Sequence, residues 1–538
     1  MKCFKVLMVL ALVFAVSAIA YAETQSVKIS GDITMRAFSR QNYDLNNDDF
    51  VIAPPAVAGG GAVVRVTEPS QSTNWATHLM STAEIQVDAD LTDNVAGVVR
   101  LINQKVWGDG TYYAAANGEL GVTGYPFQDQ VVQRPVNSSW NQNIATTQSY
   151  TGVSSFNVLL DLAYIELKEF LYSPLTLRIG RQDLWFGRGF IVGAQLQDPD
   201  LALYATEYTA IRSFDAFRAT LDYDPWTIDG VFSKIRENFR RSDDDINLWG
   251  INVGYVFDDY NAEAEGYWWM KQQRFTGAYE NPLLFGAVGT NSGVIPTVVN
   301  VRNGNDSNDI HTFGGRGSFD PIEDWTIAAE AAIQFGEYIG AASQIEGRHR
   351  SAFAVDAMVE CRYWQDQFAW RPVVGAEYIF YSGQDDLGNA NTGSSGSYHG
   401  WDPMYRGKFD TAIREFQNVF YRTNQPSCPS TTNQHQLLIR GSIEPTDSLT
   451  CSATYAHFWL VDPWARTTNS VVGVPGNNIN QDEHRDIGDE LDLQVAWDYT
   501  EDVSFGVLCA WFFPGDHFGS SMGNDPATDL VGTVKLSF

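Results

Sequence analysis

Arginine is the residue type in this sequence whose spacing most clearly suggests chemistry. In segments that alternate between apolar and polar residues, eight arginines share the polar side: Arg36, Arg100, Arg178, Arg218, Arg316, Arg362, Arg371 and Arg440. A guanidinium group is a planar fork of N–H donors that matches carboxylates bidentately. A ladder of such groups along an aqueous passage could relay an anionic solute. In the alternative, each arginine pairs with an acid of a neighbouring segment and only stiffens the fold.

Three further polar residues lie close to Arg178 in the sequence and share its predicted side: Glu166, Lys168 and Gln182. Arg or Lys facing lipid at the membrane midplane would cost about 2–4 kcal/mol, so we predict that the polar side faces a water-filled lumen. Acids share this side and give the lumen mixed charge: Glu84, Glu263, Glu265, Glu330, Asp356, Glu360, Glu377, Glu490 and Asp492.

Patterns for catalysis and metal binding are weak. Residues 519–523 match the GxSxG nucleophile motif around Ser521, but that motif needs a strand before it and a helix after it. Here it lies between the last two predicted strands. Two acidic stretches, 242–245 and 304–309, could hold Ca²⁺ but lack the full EF-hand spacing. We predict no catalytic residues, no metal and no cofactor.

Alternation with a period of two residues dominates the chain and indicates strands. We predict eighteen, at 27–38, 78–92, 95–107, 156–168, 175–186, 212–223, 226–237, 246–257, 260–271, 309–320, 325–336, 351–363, 370–382, 435–445, 449–460, 488–499, 503–513 and 528–538. At about 10–15 residues they exceed the usual soluble strand and suit a tilted strand that crosses a bilayer.

Short and long connections alternate along the chain. Short ones, such as 93–94 and 224–225, are built from turn-forming residues, whereas long ones include 39–77, 108–155 and 383–434. Outer-membrane barrels place short turns in the periplasm and long loops outside. We therefore predict an all-β fold, a transmembrane antiparallel β-barrel of about eighteen strands, as a single domain over residues 23–538.

The first 22 residues read as a secretory signal, with Lys2 and Lys5 before an apolar run and a small-residue cleavage site at Ala20 to Ala22. We predict its removal and an integral place in the bacterial outer membrane. The formal net charge of −30 excludes a general nucleic-acid-binding surface, which would be basic.

Two hairpins resemble the alginate export porin family of the outer membrane. One runs from Ala163 to Lys168 and continues through Leu177 to Gly187 with a GRQ-x-x-x-x-G signature. The other runs from Gly488 to Leu493 and on to Phe512-Phe513-Pro514-Gly515. The resemblance implies a monomeric barrel of eighteen strands with an electropositive constriction, through which an anionic polysaccharide leaves the cell.

The resemblance also implies a pore role for Arg178 and Arg181, which fall on the matching hairpin. Strand alternation places Arg178 inward and Arg181 outward. Arg181 would face the lumen only if the chain is bulged near Gly180.

Together these features predict an outer-membrane channel for anionic solutes, in contact with outer-membrane lipid and lipopolysaccharide. A barrel that merely anchors functional extracellular loops, as a scaffold or adhesin, is the alternative. An outer-membrane hydrolase that uses Ser521 is a further, disfavoured one.

An empty barrel of eighteen strands would leave a wide aqueous hole, so we predict that a long loop narrows it. The loops at 39–77, 108–155 and 383–434 are long enough. We also predict local anion preference, with Arg178 the most sensitive position, because charges beyond about 8 Å are screened at physiological ionic strength.

Overall fold

A computed structural model describes residues 26–42, 75–107, 158–195, 212–237, 245–274, 307–338, 348–383, 397–415, 432–462, 484–517 and 525–538. The predicted signal segment, Ser521, the whole 108–155 loop and most of the 39–77 loop lie outside these residues. Within them, no helix is both long and apolar enough to span a membrane.

The described residues contain eighteen strands. They are β1 (Ser26–Gln41), β2 (Trp75–Thr92), β3 (Val95–Val106), β4 (Leu159–Leu167), β5 (Leu175–Asp183), β6 (Ser213–Tyr223), β7 (Trp226–Arg236), β8 (Ile246–Phe257), β9 (Ala262–Arg274), β10 (Ser307–Ile322), β11 (Trp325–Tyr338), β12 (Arg348–Cys361), β13 (Val373–Tyr381), β14 (Gln434–Thr446), β15 (Leu449–Leu460), β16 (Asp486–Asp498), β17 (Val503–Pro514) and β18 (Ala527–Ser537). A short 3₁₀ helix, Asp258–Tyr260, links β8 to β9.

The sheet closes on itself. Each strand pairs antiparallel with the strands before and after it, and β1 pairs with β18 from Asp32↔Ser537 to Gln41↔Thr528. Closure leaves no strand edge unpaired, which a sheet in hydrocarbon requires. The predicted barrel and its strand count are confirmed.

The strands join by short turns at one end of the barrel and by longer connections at the other. Residues 93–94 and 447–448 are short turns, whereas 52 residues, 382–433, separate β13 from β14. We call these ends the short-turn end and the long-loop end.

The two faces of the wall differ in chemistry, as β11 illustrates. Ile327, Ile333 and Phe335 are exposed on the outer face, while Glu330 and Gln334 are buried on the inner face. Successive side chains of a strand point to opposite faces, so the same alternation gives the barrel an apolar exterior and a polar interior.

The hairpin between β12 and β13 departs from the predicted boundaries. β12 ends at Cys361 and β13 begins at Val373, so Arg362 and Arg371 lie in the turn and not on strands. Pro372 explains the late start of β13, because proline has no N–H to donate to the ladder.

Candidate channel constriction

Residues 397–415, which we call the second inner segment, cross the lumen. Asp402 accepts a hydrogen bond from Lys271 of β9, with Nζ 3.2 Å from Oδ1. Ten residues later, the Ala412 amide donates to Asp492 of β16 at 3.1 Å. A segment that reaches two such distant parts of the wall runs through the interior. The prediction that a long loop narrows the lumen is therefore confirmed for residues 397–415 of the 383–434 loop.

Residues 184–195, which we call the first inner segment, follow β5 and pair with the second. The amide of Gly193 donates to the carbonyl of Tyr405 at 2.7 Å, and that of Gly407 donates to Gly189 at 2.9 Å. The close approach requires glycine, because a Cβ on Gly407 would lie 2.4 Å from the carbonyl carbon of Gly193. The two segments thus form one body inside the barrel.

An ionic centre ties this body to β12, β13 and β14. Arg188 reaches Asp356 at 3.2 Å and Glu377 at 2.6 Å. Lys408 reaches Asp356 at 2.9 Å and also contacts Glu377, which Arg440 of β14 contacts as well. Both carboxylates are buried, so the cations compensate charge that would otherwise be costly in the interior.

Two ionisable groups of the second inner segment, Lys408 and Asp402, are held in their charged forms. Burial opposes the charge on Lys408, but Asp410 and the wall carboxylates outweigh it and raise the Lys408 pKa. Burial likewise opposes the charge on Asp402, yet Lys271 and Arg350 lower the Asp402 pKa below its ordinary value. Lys408 and Asp402 therefore contact the wall as charged groups at neutral pH.

Two acids of β16 hold the segment through its backbone. Glu490 accepts hydrogen bonds from the amides of Ile413 at 2.6 Å and Arg414 at 2.8 Å, next to the Asp492 contact with Ala412. Acid oxygens that accept these backbone N–H bonds satisfy donors that would be costly to leave unpaired in the interior. These acids anchor the segment, a role that their lumen-facing position alone did not reveal.

Apolar packing completes the constriction. Phe190 stacks on Tyr381 with ring centroids 5.6 Å apart and on Trp401 at 6.5 Å. Tyr405 meets Phe214 of β6 edge-on at 6.0 Å. All five rings are almost fully buried, so the inner segments have a core of their own inside the lumen.

The predicted lining residues near β3 to β7 are paired with acids. Arg100 lies 2.5 Å from Asp161, and Arg218 lies 2.8 Å from Asp229. Arg178 lies 2.6 Å from Glu166, and both residues were predicted to line the lumen.

The other predicted lining residues that lie on strands differ in burial and in their contacts. Arg36 has the inward parity of β1 and is partly exposed. Gln182 is fully buried and donates to the carbonyl of Ala216 at 2.9 Å. Arg316 contacts Glu263 and Glu265 of β9.

Three predicted lining residues lie at the short-turn end. Lys168 is half-exposed beyond the end of β4. Arg362 contacts Glu360 at 2.7 Å. Arg371 is exposed and reaches Asp447 at 2.8 Å. They surround the mouth of the lumen and not its middle.

Arg181 keeps the outward parity. Gly180 has a φ of +125°, but the pairing stays regular, with Gly180 opposite Tyr164 and Arg181 opposite Ala163. The Arg181 guanidinium lies 3.7 Å from Asp215, an exposed side chain of the outer face. The bulge that would turn Arg181 inward is absent at this point of the described hairpin.

Sequence reasoning missed the inner segments' own residues, Arg188 and Lys408 among them. The signal was the stretch Trp401 to Asp410, whose aromatic and charged residues follow a stretch rich in Gly, Ser, Asn and Asp, 383–400. Residues 397–400 of that stretch belong to the second inner segment, and Tyr398 is buried.

Comparison with known proteins supplies the family. The profile described as alginate export matches residues 74–528. The chain belongs to the alginate export family. It is an integral outer-membrane β-barrel and a channel for anionic solutes, so its short-turn end faces the periplasm and its long-loop end the exterior.

This alginate export chain is similar to the solved structures of three bacterial proteins, among others. OpdQ of Pseudomonas aeruginosa is 10% identical, with a TM-score of 0.45 over 96% of this chain and 99% of that chain. OccK9 (OpdG) of the same organism is 12% identical, with a TM-score of 0.47 over 96% and 100%. OccAB1 of Acinetobacter baumannii is 10% identical, with a TM-score of 0.47 over 96% and 99%. No curated protein matches the chain.

Proposed function

We propose that this channel passes an anionic polysaccharide of the alginate type past a constriction built by the two inner segments. The observation that carries the proposal is an asymmetry in the lumen's ion pairs, in which the guanidinium is more exposed than its carboxylate. The barrel acts as a monomer, and its role is transport without catalysis.

In four pairs the arginine side chain is more exposed than the side chain of its acid. The exposed fractions of arginine and acid are 30% and 16% for Arg178–Glu166, 24% and 4% for Arg218–Asp229, 32% and 1% for Arg440–Glu377, and 18% and 0% for Arg100–Asp161. A guanidinium has five N–H donors, more than one carboxylate accepts. Arg100 and Arg440 each contact a second acid, Asp183 at 3.4 Å and Asp410 at 2.7 Å. In this proposal, the donors that no acid occupies bind sugar carboxylates in the passage.

The acids of β12, β13 and β16 are engaged elsewhere. Asp356 and Glu377 bind Arg188 and Lys408, and Glu490 binds backbone amides. Their charge is therefore compensated within the constriction and repels a passing anion less than the number of inward acids suggests. Two pairs are exceptions, Arg316–Glu263 and Arg100–Asp183, since the acid is the more exposed partner at 45% and 40% respectively.

Single-channel recording in planar bilayers tests the proposal. We expect stepwise conductance that purified alginate oligomers interrupt, while a neutral oligosaccharide of equal length interrupts it less. A barrel without conductance would favour a scaffold or adhesin. Equal interruption by the two oligomers would contradict an alginate-type solute.

A further inference from the structure

A groove of about 350 Å³ lies on the outer wall where the barrel closes, across β17, β18, β1 and β2. Its floor is Ala37 beside Gly532, which are paired across the β1–β18 seam. Nothing lies within 4 Å of where a Cβ on Gly532 would stand. The groove is therefore an unfilled recess between larger side chains.

The walls of the groove are apolar and belong to the lipid-facing side. Met35, Leu79, Phe505, Val507 and Val534 line it, and each is at least 37% exposed. The outer-membrane location supplies hydrocarbon against this surface. Because water is excluded there, the recess is filled by acyl chain or left as a void that loses dispersion contacts.

One end of the groove lies near the extracellular side. Trp107, directly after β3, lines this end, and its amide donates to the carbonyl of Leu79 at 2.7 Å. Two residues earlier, Lys105 has the outward parity of β3 and pairs with Ser81 of β2. A tryptophan and a cation at the membrane interface suit a lipid whose headgroup is phosphorylated.

We infer that this groove binds one acyl chain of lipid A from the outer leaflet, with Trp107 at its headgroup end. The chain lies on Ala37 and Gly532, and Lys105 is near the phosphorylated sugar. The inference is independent of which solute the lumen passes, because the groove is on the opposite face of the wall.

Filling the floor tests the inference. The full-length protein, extracted from outer membranes in mild detergent, is compared with Gly532→Leu by native mass spectrometry and by the mass of the released lipid. Gly230→Leu is the matched control, because Gly230 also has open space at its Cβ but lies on β7, away from the groove. Ala37→Leu is a second filling variant, and unchanged heat-modifiable migration shows that each variant is folded.

We expect wild type and Gly230→Leu to retain lipid A at comparable occupancy, and Gly532→Leu and Ala37→Leu to retain at least about fivefold less, as loss of apolar contact requires. Equal retention by folded Gly532→Leu would overturn the inference. Retention of glycerophospholipid in place of lipid A would overturn the assignment of the ligand.

Discussion

Lys408, on a segment that enters the lumen, lies 2.9 Å from Asp356, whose carboxylate is fully buried in the wall of β12. The two residues are 52 positions apart in the sequence. Their contact converts a long external connection into an internal constriction. It also compensates an acid that would otherwise face the passage, so anchoring and selectivity depend on the same ion pair.

Reversing the charge of Lys408 should loosen the constriction. In Lys408→Glu a third carboxylate meets Asp356 and Glu377, and like charges at this distance repel. We expect single-channel conductance to rise by about twofold or more, since an unobstructed barrel of this size leaves a wide hole. Lys535→Glu is the control, because Lys535 pairs with Asp32 across the β1–β18 seam, several strands from the ionic centre. Equal conductance in Lys408→Glu and wild type would count against the constriction.

Removing the Glu490 carboxylate should expose the backbone that it holds. In Glu490→Ala the amides of Ile413 and Arg414 lose their acceptor, at a cost of about 1–3 kcal/mol for buried groups. Hydrogen exchange at these amides should accelerate at least about fivefold, equivalent to ~1 kcal/mol. Glu360→Ala, which removes a partly exposed acid near the periplasmic mouth, should leave them protected. Unchanged exchange in Glu490→Ala would show that other contacts hold the segment.

The Arg100–Asp161 pair should matter for stability. Asp161 is fully buried, so Arg100→Ala leaves an uncompensated charge in the wall. We expect the free energy of unfolding in vesicles to fall by about 3–5 kcal/mol, the usual cost of breaking a buried pair. Lys168→Ala removes a half-exposed partner 3.9 Å from Glu166 and should cost less than ~1 kcal/mol. Similar losses in the two variants would mean that Asp161 is solvated or compensated by other groups.

His517, after β17, should make stability depend on pH. Burial, reinforced by Arg414, lowers the His517 pKa to about 4. The neutral ring is therefore favoured by folding, and its contribution is complete above the ordinary value of about 6.5 and lost as the pH falls from there toward 4. The loss amounts to roughly 3 kcal/mol. His517→Gln should flatten the pH profile of unfolding over this range, and an equally steep profile would contradict the assignment.

Strand alternation predicted the barrel because each strand faces lipid on one side and water on the other, and that contrast is local in sequence. The inner segments depend on contacts between distant residues, such as Arg188 with Glu377, 189 positions apart. No local pattern carries such a pairing. For the same reason Glu490 and Asp492 were recognised as inward-facing but not as anchors. Arg362 was assigned to a strand because the alternation continues past Cys361, whereas Pro372 forces a longer turn.

We propose that partly exposed guanidinium groups give the lumen an anion preference despite the chain's net charge of −30. Reversal potentials in a salt gradient test this preference most directly, on wild type, Arg178→Glu and the control Arg371→Glu in the exposed periplasmic turn. We expect an anion-selective wild type, a shift toward cations in Arg178→Glu, and a much smaller shift in Arg371→Glu. A cation-selective wild type whose reversal potential is unchanged by Arg178→Glu would contradict it.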